Sequence, residues 1–335
     1  MNLTGYTDRE EYKFLNENEH LGNNIILVGY GGSRAYGTNL PTSDTDIRGV
    51  AVRTAHDICT GADFEQVVDV ATDTTIYSLD KMFGLLAECN PNCIEILGLR
   101  PEDYLYVTEI GQMILDNKKI FLSNRCIHTF GGYARSQLYR LRQRGLTALT
   151  KEEFNAHIAK VIKGMDEHLS KNWGITSEQL SVECNEDGNL IVNISNISNI
   201  PLVEFEGITS EIQNVIKTYN KNSSRNEKAL AHDKINKHAM HLLRLFIMGT
   251  ELILTGEIHT YREKEHDLLM KIRNGEYEIE KGTLSNEFWD ILAEYEAKFN
   301  EAQAHSVLPD VADVAAINKL KYEINRKIVL NNEIV

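Results

Sequence analysis

Two short apolar runs near the start of the chain flank a segment that lacks the composition of a long helix. The runs are NIILVGY (24–30) and DIRGVAVR (46–53), and their length and apolar character are typical of β-strands. Between them lies GGSRAYGTNLPTS, which is rich in Gly, Ser, Thr and Pro and can form at most one short helical turn at residues 33–36. The chain is therefore constrained to run from one strand through a tight polar connection into another.

The remainder of the first hundred or so residues alternates strand and helix patterns. DTTIYSL (73–79) is β-branched and aromatic, which predicts a third strand, and residues 80–90 have helical spacing with Asp80 as the predicted cap. Asn90 and Pro91 indicate the end of that helix and the start of another, with Pro at its first position. These patterns predict an α/β or α+β fold in which strands precede helices.

Beyond about residue 105 the pattern changes to amphipathic helices. The predicted helices cover residues 105–115, 119–144, 151–169, 224–255, 263–273, 285–305 and 311–330. Residues 174–210 are rich in Asn, Ser and Gly and contain short β-like runs, which predicts an irregular or hairpin insertion. We therefore expect an α/β (α+β) domain with a mixed sheet at 1–104 and a mostly helical domain at 105–335.

The charge balance argues against one broad class of function. Lys and Arg number 35 against 49 Asp and Glu, which gives a formal net charge of −14 and a pI near 5.3. Such a chain does not coat nucleic acid through general phosphate neutralisation, although a local basic groove is compatible with it. No run approaches the ~20 apolar residues of a membrane span, and the first residues lack a signal-peptide pattern, so we expect a cytoplasmic protein.

Asp44 and Asp46, in the sequence SDTDIRGV, are the first candidate site residues. Side chains alternate between the two faces of a strand, so two acids separated by one residue are expected to point the same way. Two carboxylates aimed at one point repel each other unless a cation lies between them. Mg²⁺, with Mn²⁺ as a substitute, is the natural cation, because it prefers oxygen ligands and is held by one or two carboxylates together with substrate phosphates.

The turn at Gly32 and Ser33 predicts an anion site next to these acids. It follows a strand and opens a short helical turn, so its N–H groups and the Ser33 hydroxyl are expected to hold a triphosphate, with Arg34 and Ser43 as further candidates. A packing or surface role is equally compatible with Arg34, and Ser43 is better placed to cap the turn than to react. The chain lacks the Gly-Lys-Ser or Gly-Lys-Thr sequence of a Walker A loop, and it has Arg34 where a dinucleotide-binding fingerprint requires Gly. Neither of these two nucleotide-binding motifs is therefore supported.

The order of these features resembles the signature of the DNA polymerase beta superfamily of nucleotidyltransferases. That signature is an apolar strand, Gly-Ser, about a dozen residues and then Asp-x-Asp between apolar residues. A more specific resemblance is to the RNA ligase-associated polymerase branch, which is proposed to act in RNA repair. It rests on the segment GSRAYGTNLPTSDTDIRGV and on the later segment DTTIYSLDKMFGLLAECNPNCIEIL. Two later stretches, KHAMHLLRLFIMGTELILTGEI and HDLLMKIRNGEY, are similar to the same branch. The resemblance spans roughly residues 25–100 and 234–277.

The resemblance implies a two-metal site completed by a third carboxylate on a neighbouring strand. The pattern of the branch puts this acid at Asp73, with Asp69 as the alternative. Asp44 and Asp46 would then hold both metals, and Asp73 would hold the metal nearer the nucleophile and act as its base. The implied reaction is attack of an acceptor hydroxyl on the α-phosphorus of a nucleoside triphosphate such as ATP, with pyrophosphate leaving.

A long predicted helix carries further nucleotide-binding candidates. His238, His241 and Arg244 are spaced at i, i+3 and i+6, which places them on a loosely shared helix face. Two roles are compatible with each of them: contact with the substrate, or packing and hydrogen bonding within the protein. Basic residues with an interleaved aromatic suit an RNA backbone, although solvated helix faces have the same composition. The two basic clusters are Arg135, Tyr139, Arg140, Arg142 and Arg144, and Lys217, Lys221, Arg225, Lys228, Lys234 and Lys237.

The function expected from these features is transfer of a nucleoside monophosphate to an acceptor hydroxyl, with an RNA end, tRNA-like in character, as the leading acceptor in RNA repair. Nucleotidylation of a protein side chain or a small molecule is the first alternative, because the chain is acidic. A catalytically silent nucleotide-binding regulatory protein is the second, although retained, mutually repelling acids argue against it. The sequence leaves the preferred base and the oligomeric state open.

Overall fold

A computed structural model describes residues 5–6, 8–142, 174, 176, 179–184, 190–194, 235–280 and 283–331 of the chain. Contacts between residues divide the chain into two compact units, Met1–Ser136 with Asn236–Val335, and Gln137–Ile235. The predicted domain boundary after residue 104 is based on sequence patterns, whereas the two units are defined by contacts between residues. The units therefore do not test that boundary, which stays a prediction.

A five-stranded mixed sheet forms the centre of the first unit. Its strands are β1 (Ile25–Tyr30), β2 (Ile47–Ala51), β3 (Gln66–Asp69), β4 (Thr74–Ser78) and β5 (Tyr104–Val107). Their order across the sheet is β3-β4-β2-β1-β5. The β2–β4 pair is parallel, whereas β1 runs antiparallel to β2 and β5, and β3 runs antiparallel to β4. A mixed sheet followed by a mostly helical region confirms the predicted α/β (α+β) class.

The apolar core of the sheet joins its central strands. Ile25 and Val28 of β1, Ile47 of β2 and Ile76 of β4 lie in one buried cluster, and Leu15 packs into it from a short N-terminal helix. Fully burying one such side chain stabilises the fold by about 1.5–3 kcal/mol. The core therefore fixes how the β1, β2 and β4 strands lie beside one another.

Seven helices accompany this sheet within residues 8–142. They are α1 (Phe14–Glu17), α2 (Gly32–Ala35), α3 (Ala55–Thr60), α4 (Leu79–Ala87), α5 (Pro91–Ile94), α6 (Glu109–Asp116) and α7 (Arg125–Arg142). The cap predicted at Asp80 was wrong, because the Ser78 hydroxyl accepts the Lys81 N–H at 3.1 Å and Ser78 is the N-cap. Asp80 lies in the first turn instead, where it pairs with Arg53 and Lys321.

The helix predicted at residues 105–115 was wrong at its start. Tyr106 and Val107 belong to β5, which pairs with Val28 and Leu27 of β1. Tertiary pairing with an existing strand overrides helical spacing over a few residues. The helix α6 begins only at Glu109, after the Thr108 N-cap.

Four further helices follow in the C-terminal part. They are α8 (Ile235–Thr255), α9 (His266–Arg273), α10 (Asn286–Ala302) and α11 (Val314–Asn331). Between α9 and α10 lies a small hairpin of β8 (Glu278–Glu280) and β9 (Thr283–Leu284). The helices predicted in this part are confirmed to within a few residues where they are described, whereas residues 151–169 and 224–234 lie outside the described residues.

Short 3₁₀ helices lie in the connections. They are Glu10–Tyr12, Gly22–Asn24, Glu95–Leu97, Pro101–Asp103, Lys118–Phe121 and Gln303–His305. Among the helices that the structure describes, none has the length and apolar character needed to cross a bilayer.

In the second unit, two strands form an antiparallel pair. They are β6 (Leu180–Cys184) and β7 (Leu190–Ile194), with Val182 opposite Val192. Both strands lie within residues 174–210, where an irregular or hairpin insertion is predicted. The residues that connect them and the LVEF run (202–205) lie outside the described residues, so the insertion stays a prediction.

The close packing of α6 on β1 leads to the first prediction. A Cβ added at Gly111 of α6 would overlap the backbone carbonyl of Ile26, whereas one added at Gly84, on the exposed side of α4, meets nothing within 4 Å. We expect Gly111→Ala to destabilise the protein by about 1–3 kcal/mol through overpacking. We expect Gly84→Ala to stabilise it by about 0.5–1 kcal/mol, because alanine is the better helix former. Urea unfolding followed by circular dichroism measures both, and equal stabilities would contradict the packing.

Candidate active site

Two carboxylates meet at one end of the parallel strand pair. Ile47 of β2 is paired with Thr74 of β4, so the residues that precede them, Asp46 and Asp73, lie at the same edge of the sheet. The Ile47 N–H donates to the Asp73 carbonyl at 3.2 Å, just before the two strands begin. The parallel register therefore brings together two acids that are distant in the sequence.

The Asp46 and Asp73 carboxyl groups share a hydrogen bond. Burial, followed by the hydrogen bond with Asp73 and the negative charge of Asp73, raises the pKa of Asp46 to about 7. The same hydrogen bond, followed by the charge of Arg48, lowers the pKa of Asp73. The two carboxyl groups therefore titrate as a pair, because each would repel the other if both were ionised.

Two cationic side chains influence this pair. Arg48 donates through Nη1 to the Asp73 carbonyl at 2.7 Å, and its Nη2 lies 3.3 Å from Asp73 Oδ1. The charges of Arg48 and of Lys237, in the first turn of α8, lower the pKa of both acids. These positive charges at the edge of the sheet favour an anionic ligand there.

The glycine turn lies directly against Asp46. The Gly31 N–H donates to the Asp46 carbonyl at 2.9 Å. Gly32, the first residue of α2, has φ +55°, and a Cβ added there would lie 2.7 Å from Asp46 Cγ. Only glycine leaves room for the carboxyl group in this backbone conformation. The predicted turn and one predicted acid are therefore in contact.

Asp44 is placed differently from its expected position. The β2 strand begins at Ile47, so strand alternation does not govern Asp44, which is exposed and precedes the strand. Within the described ranges, no three or more His, Cys, Asp or Glu side chains are grouped closely enough to hold a metal ion. The structure thus brings together Asp46 and Asp73 without Asp44, whose role as a metal ligand stays a prediction.

Asp69, the alternative third acid, is engaged elsewhere. It is the last residue of β3, and its Oδ1 accepts the Thr72 N–H at 2.8 Å and the Thr72 hydroxyl at 2.7 Å. Asp73 follows with φ +46°, a conformation that few non-glycine residues adopt. The geometry thus groups Asp73, and not Asp69, with Asp46.

The polar residues predicted around the turn have local partners. Ser33 is buried in α2. Arg34 donates through Nε to the Thr45 hydroxyl at 2.9 Å, which ties α2 to the segment just before Asp46. The Ser43 hydroxyl accepts the Leu40 N–H at 2.8 Å, so it closes the turn as expected. Contact of these residues with a nucleotide stays a prediction.

The candidates on α8 lie in two different environments. Arg244 is buried, and its guanidinium carbon lies 3.3 Å from the centre of the Tyr36 ring. Its Nη2 lies 2.8 Å from His241 Nδ1, and because a guanidinium only donates, the histidine is neutral. Burial, followed by the charges of Arg244, His238 and Lys237, holds the pKa of His241 well below its usual value. His238 is partly exposed in the first turn of the same helix.

Sequence reasoning missed Glu95, a buried acid beside the turn. Its Oε2 accepts the Tyr36 hydroxyl at 2.8 Å, and it also accepts the Gly32 N–H. Glu95 is flanked by isoleucines in CIEIL, and an acid within an apolar run was the one signal that could have identified it. In the first basic cluster proposed for RNA, all residues but Arg144 lie on α7, and in the second only Lys237 lies within the described residues. The structure describes the side chains of Arg135 and Lys237.

A comparison with known protein families gives a match over the N-terminal part of the chain. Residues 8–161 match the RlaP family. This family is described as the RNA repair pathway DNA polymerase beta family, and the match confirms the predicted resemblance to the RNA repair branch of that superfamily. The match includes the turn, all four aspartates considered above and Glu95, whereas the α8 candidates lie beyond its end.

Outside the family comparison, one curated protein gives a partial match. It is the "Uncharacterized 38.9 kDa protein in nrdC-mobD intergenic region" of Enterobacteria phage T4, 27% identical over 133 residues. The match covers 36% of this chain and 39% of the phage protein, so the chain spans about two fifths of that relative. No solved structure gives a significant match.

The Asp46 and Asp73 pair has the chemistry of a divalent-cation site. Two carboxyl groups in contact repel each other when both are ionised, unless a positive charge lies between them. Mg²⁺ is commonly bound through one or two carboxylates, with phosphates and water as the remaining ligands. The residues present therefore fit Mg²⁺ with Asp46 and Asp73 as its protein ligands.

The contact between Gly32 and Asp46 leads to the second prediction. Gly32 and Gly61 both have positive φ values, +55° and +78°, but a Cβ at Gly61 would meet nothing within 4 Å. Alanine in a left-handed conformation costs about 1–2 kcal/mol at either position. We expect Gly32→Ala to lose a further ~1–3 kcal/mol, because its Cβ must displace the Asp46 carboxyl group. Urea unfolding of the two variants measures the difference, and equal losses would be inconsistent with the contact.

Proposed function

We propose that the protein is a Mg²⁺-dependent nucleotidyltransferase that moves a nucleoside monophosphate from a nucleoside triphosphate to an acceptor hydroxyl, releasing pyrophosphate. The observation that carries this proposal is the contact of Asp46 with Asp73 on one side and with the Gly32 turn on the other. A cation site and an anion-binding turn at the same point are what displacement at a phosphorus atom requires.

Asp46 and Asp73 would hold the metal, with Asp44 as a further predicted ligand. When bound, the metal supplies charge stabilisation to the phosphate oxygens and orients the reacting groups. The ionised carboxylate of Asp73 is the predicted proton acceptor for the attacking hydroxyl. Its pKa is lowered, so it is ionised at neutral pH and available for that role.

The groups around the acids favour a triphosphate in the same place. Arg48 and Lys237 act electrostatically on both aspartates, and cations so placed would also attract phosphate oxygens. The backbone at Gly32 and Ser33 and the Arg34 side chain would bind the part of the triphosphate that leaves. His238, His241 and Arg244 are the predicted contacts from α8, although Arg244 is largely enclosed by protein.

An RNA end, tRNA-like in character, is the proposed acceptor in RNA repair. The family description supports this choice, because it places related proteins in an RNA repair pathway. The net charge of −14 restricts RNA contact to a local basic surface rather than the whole molecule. A protein side chain or a small molecule would be the acceptor under the alternative hypothesis, and a silent nucleotide-binding protein would transfer nothing.

Label transfer identifies the acceptor and is the third prediction. The protein is incubated with Mg²⁺ or Mn²⁺ and each α-labelled nucleoside triphosphate, together with total RNA in one reaction and protein extract in another. We expect label in the RNA fraction and its loss when the metal is chelated. Label in the protein fraction would favour the alternative acceptor, and no transfer to any fraction would contradict the proposal of an enzyme.

Substitution of the aspartates is the fourth prediction. We expect Asp44→Asn, Asp46→Asn and Asp73→Asn each to lower transfer by at least about a hundredfold with the fold intact, because metal-based charge stabilisation is worth several kcal/mol. Asp69→Asn is the matched control, since its carboxylate is bonded to Thr72. Initial rates and circular dichroism spectra test the four variants. Full activity of Asp46→Asn would remove the metal proposal, and loss in Asp69→Asn alone would reassign the third acid.

A further inference from the structure

A buried carboxylate bonds the glycine turn from the side away from solvent. Glu95, the first residue of the 3₁₀ helix Glu95–Leu97, is only 6% exposed. Its carboxylate accepts the Gly32 N–H, and its Oε1 lies 3.5 Å from the position that a Cβ on Gly31 would take. Glu95 is therefore in contact with the same two glycines that border Asp46.

Burying this acid is costly, and nearby groups offset the cost. Burial raises the pKa of Glu95, whereas the charges of Arg244 and Arg48 and the hydrogen bonds from Tyr36 and Gly32 lower it. A buried carboxylate without such partners would lose several kcal/mol of hydration. Arg244, Arg48 and two residues of the turn, Gly32 and Tyr36, thus favour the ionised form of Glu95, whereas burial opposes it.

Tyr36 connects Glu95 to helix α8. Its side chain is 2% exposed, its hydroxyl donates to Glu95 Oε2 at 2.8 Å, and the Arg244 guanidinium lies over its ring. Because Tyr36 is buried, its ring is not available for stacking on a base. The Tyr36 hydroxyl therefore donates its hydrogen to Glu95, which also bonds the turn at Gly32.

We propose that Glu95 is a positioning residue that holds the turn at Gly31 and Gly32 against Asp46, with Tyr36 as its partner. The proposal rests on the proposed function, in which this turn binds the triphosphate. A turn rich in glycine has many accessible backbone conformations, and a charge-assisted hydrogen bond to its N–H selects one of them. Glu95 acts through the backbone and does not touch the substrate itself.

Two variants separate this role from simple packing. Glu95→Gln keeps the size of the side chain but removes its charge, and Tyr36→Phe removes only the hydroxyl that bonds Glu95. Asp103→Asn is the matched control, because Asp103 is also 6% exposed and is bonded to an arginine, Arg100, through its carboxylate. All three variants are first compared with the wild type by thermal unfolding.

Nucleotide affinity is the first readout. The four full-length proteins are titrated with ATP, CTP, GTP and UTP in the presence of Mg²⁺, without an acceptor. We expect the dissociation constant of the tightest-binding triphosphate to rise about tenfold in Glu95→Gln and Tyr36→Phe, because a misplaced turn loses bonds to phosphate. Asp103→Asn should stay within about twofold of the wild type.

The Gly32 amide gives a second readout that does not depend on nucleotide. The chain contains two Gly-Gly pairs, Gly31 with Gly32 and Gly131 with Gly132. Labelling with glycine that carries ¹³C at the carbonyl and ¹⁵N at the amide therefore leaves two signals in a carbonyl-filtered spectrum. We expect the Gly32 amide proton to move upfield in Glu95→Gln, since a bond to a carboxylate becomes a weaker one, while Gly132 in α7 stays in place.

The outcomes distinguish this inference from the proposed function. A wild type that binds none of the four nucleotides contradicts the proposed function, while the Gly32 signal still decides whether Glu95 holds the turn. An unmoved Gly32 signal in a folded Glu95→Gln overturns the inference. Unchanged affinity in both folded variants, or a loss no larger than that of Asp103→Asn, overturns it as well. If Glu95→Gln does not fold, Tyr36→Phe is judged by the same criteria.

Discussion

The parallel pairing of β2 with β4 is the constraint on which the candidate site depends. The pairing of Ile47 with Thr74 places the preceding residues, Asp46 and Asp73, next to each other. A shift of that register by one residue would turn one of the acids to the opposite face of the sheet. The apolar core, which includes Ile47 and Ile76, resists such a shift, so the stability of the sheet and the geometry of the acids have the same origin.

Around the acids, the protein balances charges that would be unfavourable alone. The partly buried Asp46 is hydrogen-bonded to Asp73, and the buried Glu95 depends on Arg244 and Arg48. Each arrangement brings negative groups close to a turn that is proposed to bind another anion. The cationic side chains make this compatible, because they offset repulsion that burial would strengthen. The site is thus a network of paired charges rather than an isolated acidic cluster.

Much of the local structure was predictable from residue patterns, and the errors have identifiable causes. The apolar run ending at Tyr30 is β1, and the predicted turn does contact Asp46. The strand β5 was mistaken for a helix because four residues are too few for periodicity to separate the two. The cap was placed at Asp80 instead of Ser78, since both residues are good caps two positions apart.

The sequence by itself determined the order of strand, glycine turn and acid, because strand length, turn composition and the Asp-x-Asp spacing are local properties. Only the tertiary structure decided that Asp73 joins Asp46, that Asp44 lies apart from them and that Glu95 bonds the turn. These contacts depend on strand pairing and on packing between distant segments, and no pattern within a few residues specifies either.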